Sequence, residues 1–193
     1  MVPRMQIFVT KFREVVENVE SATCCGQFRM SLGRIDALAE YNTAVATFVR
    51  DFQPGDFETL WRMDQECFAP GVSYSKPELM SFINRSGAFT LVATDAKEIQ
   101  GFIVTQGGKA GHVITIDVSP QARRSGVGSL LLRGAEDRLV SSGSRIINLE
   151  TAVDNVSALA FYRSHGYRVV RTWPRYYANG VDALVLKKIL SNA

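Results

Sequence analysis

The sequence predicts an α+β fold: a mixed, mostly antiparallel central sheet of about seven strands, with helices on both faces and one parallel crossover. Three observations carry that prediction. Residues 88–118 hold three β-branched runs separated by short turns at Asp95–Glu98 and Gly107-Gly108, which reads as consecutive hairpins. From Val118 to Thr172, strand and helix patterns alternate as β-α-β-α-β, and that stretch requires one parallel pairing. The whole order is β-α-α-β-β-β-α-β-α-β-β, with too little alternation for a doubly wound sheet.

Each element has a local reason. Ala44 to Phe52 alternates and is β-branched, a strand signal. Pro54-Gly55-Asp56 is a turn that leads into a helix. Phe57, Leu60, Trp61, Asp64 and Phe68 fall at helical spacing, and Pro70-Gly71 is the expected stop. Ser75 caps a second helix with Pro77 and Glu78 in its first turn, running to about Asn84. Strands follow at Ala88–Thr94, Ile99–Thr105 and His112–Val118. Val127 to Ser141 is a helix with Leu130, Leu131, Ala135 and Leu139 as its apolar positions, ended by Gly143. Arg145–Thr151 is a strand. Asp154 or Asn155 caps the next helix, which runs to His165 and stops at Gly166. Tyr167–Thr172 and Asp182–Ile189 are the last strands.

Composition narrows the function. The chain has 193 residues, 46% of them hydrophobic and 21% charged, with a formal charge of +3. This reads as one globular unit, residues 45–193, behind an N-terminal extension, residues 1–44. The extension carries no chemical motif. It reads as a poorly ordered or loosely docked arm, a partner-binding segment or a non-native start. The apolar run Met5–Val9 is too short for a secretory leader, and no run suits a spanning helix. Cys24, Cys25 and Cys67 make a poor disulfide framework, and two histidines without a CxxC pair make a poor zinc site. The expected setting is a reducing cytoplasm, with no metal, no membrane and no nucleic-acid partner, as a monomer or homodimer.

The most informative segment is Val118-Ser-Pro-Gln-Ala-Arg-Arg-Ser-Gly-Val-Gly-Ser129. It follows a strand and opens a helix, where unpaired N–H groups and partial positive charge favour a phosphate. Gly126 and Gly128 permit close approach, and Arg123 and Arg124 add charge. A dinucleotide fingerprint is disfavoured because position 131 is leucine. Two glycines in a tight turn before a helix remain the plain alternative.

The motif Arg123-Arg-Ser-Gly126-Val-Gly128, preceded by V-x-P, resembles the acyl-CoA pyrophosphate loop of the GNAT acetyltransferase superfamily. Leu149-Glu-Thr-Ala-Val-Asp-Asn-Val-Ser-Ala-Leu-Ala-Phe-Tyr-Arg-Ser-His-Gly-Tyr167 is similar to a stretch of the bacterial ribosomal-protein-alanine N-acetyltransferases. The resemblance covers about residues 46–190. It implies that acetyl-CoA is the acyl donor and that the parallel crossover surrounds its site. It implies that the amides of Arg124, Ser125, Gly126, Val127, Gly128 and Ser129 hold the pyrophosphate. Ile116, Asp117 and Val118 would pair with the pantetheine arm, beside a splay in the sheet. Asn155 and Tyr162 would lie against the cofactor. Glu150 matches the proposed base and Tyr162 the proposed acid. Tyr176 and Tyr177 match a paired tyrosine before the last hairpin, and with Tyr74 they would line the acceptor. The acceptor side departs more: Thr151-Ala-Val-Asp precedes Asn155 where the group carries V-R-x-x.

These residue types suit the chemistry. Attack on a thioester needs a neutral amine, and the departing thiolate needs a proton. A base and an acid of this kind contribute about 10²–10⁴-fold. An α-amine titrates near 7.7–8.0 and a lysine near 10.4, a gap worth about 3.4 kcal/mol of deprotonation. The peptide or protein N-terminus is therefore the expected acceptor. A small-molecule amine, a lysine, or a silent acyl-CoA-binding module are the alternatives. Residue by residue the plain readings stay open. Glu150 can be an exposed strand-end carboxylate, Tyr162 a core aromatic, Asn155 a helix cap, and Tyr176 and Tyr177 packing for the hairpin. His112 and His165 read as structural, and Cys67 as a small core residue.

Overall fold

A computed structural model describes residues 46–68, 72–95, 97–177 and 179–190. The N-terminal extension, with Cys24-Cys25, lies outside the described residues, as does the Pro70-Gly71 stop.

Seven strands form one sheet: β1 (Phe48–Asp51), β2 (Ala88–Thr94), β3 (Ile99–Gln106), β4 (Ala110–Val118), β5 (Ile146–Ala152), β6 (Arg168–Trp173) and β7 (Ala183–Ile189). Their spatial order is β1-β2-β3-β4-β5-β7-β6. Every neighbouring pair is antiparallel except β4 and β5. The helices are α1 (Phe57–Cys67), α2 (Lys76–Ile83), α3 (Val127–Ser141) and α4 (Val156–Ser164). The first strand is shorter than its alternation suggests, because the chain turns at Phe52 and enters a 3₁₀ turn at Pro54–Asp56. Strand β4 starts earlier, at Ala110, since the Gly107-Gly108 turn is tight.

Strand alternation sorts the core onto two faces. On one face Leu91, Ala93, Ile103, Ile116, Ile147 and Leu149 pack against Leu131, Leu132, Ala135 and Leu139 of α3 and Leu159 and Tyr162 of α4. On the other, Val92, Phe102 and Val104 pack against Phe57, Leu60 and Met63 of α1 and Leu79 and Ile83 of α2. Strand β3 is buried from Gly101 to Thr105 because helices cover it on both sides. Among the described residues, α1 and α2 cover the second face, and their apolar contacts reach β2, β3 and β4. Helix α3 comes close to the β4–β5 pair: a Cβ on Gly111 would lie 2.5 Å from Leu139, so only glycine fits there. The expected cap of α2 is present, with Ser75 donating from its backbone N–H and its hydroxyl to the Glu78 carboxylate.

Candidate active site

The site begins where β4 and β5 part. They pair at Ala110↔Ile146, Gly111↔Ile147 and His112↔Asn148. Beyond that, β5 continues against β7 as far as Ala152, and β4 continues against β3 to Val118. Thr105 pairs with Val113 and Val104 with Thr115, so Ile114 is an extra residue and β4 bulges there. A bulge bends its strand and sharpens the local twist. Among the described residues, the edge of β4 from Val113 to Val118, including Ile116 and Asp117, therefore has no strand partner on its β5 side.

That edge leads into the glycine loop. After a 3₁₀ turn at Pro120–Ala122, Arg124 has φ 66° and Gly126 φ 91°, and Gly126 caps α3. The first helical bond of the ladder runs from the Leu130 N–H to the Gly126 carbonyl, 3.0 Å. The N–H groups of Val127, Gly128 and Ser129 thus precede the ladder, at the positive end of a 15-residue helix. The Ser125 hydroxyl braces the loop on the Ala122 carbonyl, 2.6 Å. Arg124 is exposed on the loop. Arg123 departs from the expected phosphate-facing position. Its Nε donates to the Val118 carbonyl, 3.3 Å, and its guanidinium lies 3.6 Å from Cys67 Sγ. The Val118 carbonyl ends a strand and has no ladder partner, which gives Arg123 a local acceptor. Gly128 has ordinary room: a Cβ there would meet Phe161 at 3.5 Å.

Glu150 projects from β5 on the α1/α2 side, opposite Leu149. Its carboxylate meets His112 Nε2 at 2.6 Å; the Glu150 side chain is 7% exposed and His112 24%. The two border an open cleft of about 470 Å³ with Arg85, Gln106, Asn148 and Trp173. His112 was read from the sequence as structural; the structure makes it the partner of Glu150. The signal lay in a lone histidine entering a β-branched strand, but only the parallel register shows what it meets.

Tyr176 and Tyr177 stand on the other side of Glu150. Their rings cross at 89° with centroids 5.2 Å apart. Both hydroxyls are buried without a hydrogen-bond partner. Burial raises both phenols above their usual range, and the Glu150 charge adds to it; Tyr162 also acts on Tyr177. Glu150 thus acts on both Tyr176 and Tyr177, and Tyr162 on Tyr177. Tyr162 is 1% exposed and packs edge-on against Phe161 and Tyr167. Asn155 caps α4, its side-chain oxygen accepting the Ala158 N–H at 3.1 Å, while its buried Nδ2 has no partner. Tyr74, also buried, sits within the α1/α2 core against Phe82.

Under the open edge of β4 lies a pair the sequence did not suggest. Asp64 of α1 and Asp117 of β4 are both fully buried. Asp64 accepts the Tyr74 N–H at 2.7 Å, and Asp117 accepts the Thr115 hydroxyl at 3.2 Å; each keeps one oxygen without a partner. Burial pushes Asp64 up to about 7 and raises Asp117 well above the usual carboxylate range. A carboxyl that holds its proton longer folded than unfolded stabilises the fold at low pH. That contribution is lost as pH rises from the ordinary 3.8 through the raised value. Asp64→Asn keeps an acceptor for Tyr74 and removes the titration. Its melting temperature should equal or exceed that of the wild type at pH 8, and the difference should shrink toward pH 5. A constant difference across that range by calorimetry would remove the linkage.

Among the described residues no three His, Cys, Asp or Glu side chains are grouped as a metal site would need, and no helix is long and apolar enough to cross a membrane. Residues 57–167 match the acetyltransferase (GNAT) family. The chain is 27% identical to an uncharacterized N-acetyltransferase of Methanocaldococcus jannaschii, over 75% of this chain and 93% of that one. It is 28% identical to N-alpha-acetyltransferase 30 of Schizosaccharomyces pombe, over 57% of this chain and 77% of that one. The crystal structure of the Escherichia coli ribosomal-protein-S18-alanine N-acetyltransferase superposes with a TM-score of 0.69 at 23% identity, over 77% of this chain and 96% of that one, a likeness of fold.

Proposed function

Given that the chain belongs to the GNAT acetyltransferase family, whose members use acetyl-CoA as donor, we propose that it acetylates the α-amine of a peptide or protein, with Glu150 as base and Tyr162 as acid. The observation that supports this reading is the partly buried Glu150–His112 pair, set where β4 and β5 separate.

The chain's own groups fit the donor. The N–H groups at the start of α3 suit a pyrophosphate, the open edge of β4 suits an amide-bearing arm, and the unpartnered Asn155 Nδ2 suits a carbonyl beside it. Acetyl-CoA supplies the thioester carbon that the amine attacks. Glu150 takes the proton released by the amine, and His112, more exposed and bordering the cleft, hands it on to water. Tyr162 donates a proton to the departing sulfur. The orphan hydroxyls of Tyr176 and Tyr177 offer donors to the acceptor's backbone. An α-amine loses its proton near neutrality far more readily than a lysine, so one carboxylate base suffices for it. Residues 1–44 stay outside this unit, which we place at 45–193.

The test is a panel of free N-terminal peptides, N-blocked lysine peptides, polyamines and aminoglycosides, with thiol release and mass spectrometry as readouts. Acetylation confined to free N-termini supports the reading. Preference for polyamines or for blocked lysine peptides overturns it, as does binding of acetyl-CoA with no transfer at all. The acid has its own check. Tyr162→Phe keeps the ring packing against Phe161 and Tyr167, so kcat should fall about 10²-fold with little change in acetyl-CoA affinity. Equal turnover would remove Tyr162 as the acid.

A further inference from the structure

The face of the sheet that carries Glu150 is closed at one end and open at the other. At the Ala152 end, Ala152, Tyr177 and Ala183 form a small core with Val72, Tyr176 and Val181. Toward the start of β5 the apolar contacts of α1 and α2 stop at β4, and the cleft opens beside Asn148. An amine held at Glu150 is followed by the rest of its molecule through that opening.

The surface beyond the opening is basic. Register places Lys187 beside Asn148, Arg168 beside Lys187, and Arg171 beside Val185, which itself faces Glu150. Paired residues share a face, so all three cations lie on the Glu150 side. Arg85 borders the cleft from the end of α2, stacked over Phe82 at 4.8 Å. Arg85, Arg168 and Arg171 are exposed, and none of the four cations has an ion-pair partner among the described residues. Cations on an edge strand guard it against pairing with another chain, which suits Arg168 and Arg171. That role does not account for Lys187 on an inner strand or Arg85 in the turn after α2.

Resting on the α-amine reading above, we infer that the preferred acceptor is an acidic peptide, with carboxylates at its second to fourth residues. Lys187 is two residues along and one strand across from Glu150, about 8 Å between backbones. An extended chain advances about 3.3–3.6 Å per residue, so the second and third side chains come within reach of it, and the fourth approaches Arg168. Among the described residues Glu150 is the sole carboxylate bordering the cleft.

The test compares kcat/KM at low and high salt for peptides sharing one first residue, with positions 2–4 glutamate, alanine or lysine, and for free glutamate. Acidic peptides should exceed neutral ones by about tenfold at low salt, and the advantage should shrink with added salt. Lys187→Glu, at a partly exposed site, should reverse the order of acidic and basic peptides. Arg168→Gln with Arg171→Gln should bring the acidic-to-neutral ratio toward one. Acetylation of all peptides without charge preference overturns this inference and leaves the α-amine reading standing. Acetylation of no peptide overturns both. Free glutamate acetylated as well as the acidic peptide overturns the peptide as occupant.

Discussion

Gly126→Glu should leave the protein folded and remove its binding of acetyl-CoA, by more than about 10²-fold in affinity. A side chain at Gly126 meets nothing within 4 Å, so there is room for it. The position has φ 91°, and a non-glycine residue there costs about 1–2 kcal/mol, a modest loss of melting temperature. The loss of binding has another origin. The new carboxylate stands at the mouth of the α3 amides and competes for the N–H groups of Val127, Gly128 and Ser129. Two charge-assisted hydrogen bonds to phosphate at about 1.5–3 kcal/mol each account for the expected change. Gly126→Ala separates the causes, because it carries the strain without the charge and should retain most of the affinity. Calorimetry reads both. Unchanged affinity in the glutamate variant would sink the loop as the pyrophosphate site.

Glu150→Gln should lower kcat by about 10²–10⁴-fold while acetyl-CoA affinity stays near that of the wild type. The amide keeps the size of the side chain and can still bond His112, so packing is preserved. What disappears is the ability to accept the amine's proton. Single-turnover kinetics with a saturating acceptor measure the chemical step apart from product release. If the variant turns over at the wild-type rate, Glu150 is a structural partner of His112 and the base lies elsewhere. Loss of kcat with a matching loss of melting temperature would instead make the pair a folding element.

Several features were legible because their causes are local. The α3 boundaries follow from its apolar spacing and from glycines at both ends. The Asn155 cap and the hairpin turns are written in three or four adjacent residues. The loop between Val118 and Ser129 is equally local, since a strand end, two arginines and two glycines occur in one run. The separation between Glu150 and Tyr162 is one strand end plus one helix, so it too can be counted along the chain.

Other features depend on which strands become neighbours. His112 meets Glu150 across 38 residues because β5 inserts between β4 and β7. No periodicity within β4 announces that. Arg123 was expected to face a phosphate, yet it turns to the end of its own strand and to Cys67, 56 residues away. Asp64 and Asp117 each lie on an element whose pattern reads as apolar, and only the packing of α1 on β4 brings their environments together. Tyr74, Tyr176 and Tyr177 looked alike as aromatics near loops, but packing buries Tyr74 in the core and leaves two orphan hydroxyls beside Glu150.

By itself the sequence determined the elements, their order, the glycine turn proposed to hold an anion and the residue types at the proposed catalytic positions, because hydrogen bonds within a turn or helix depend on neighbours a few positions apart. The tertiary structure alone decided where the sheet opens, which histidine meets the glutamate and which face gathers Arg85, Arg168, Arg171 and Lys187. Those outcomes follow from strand register and a single bulge at Ile114, which join residues distant in the chain.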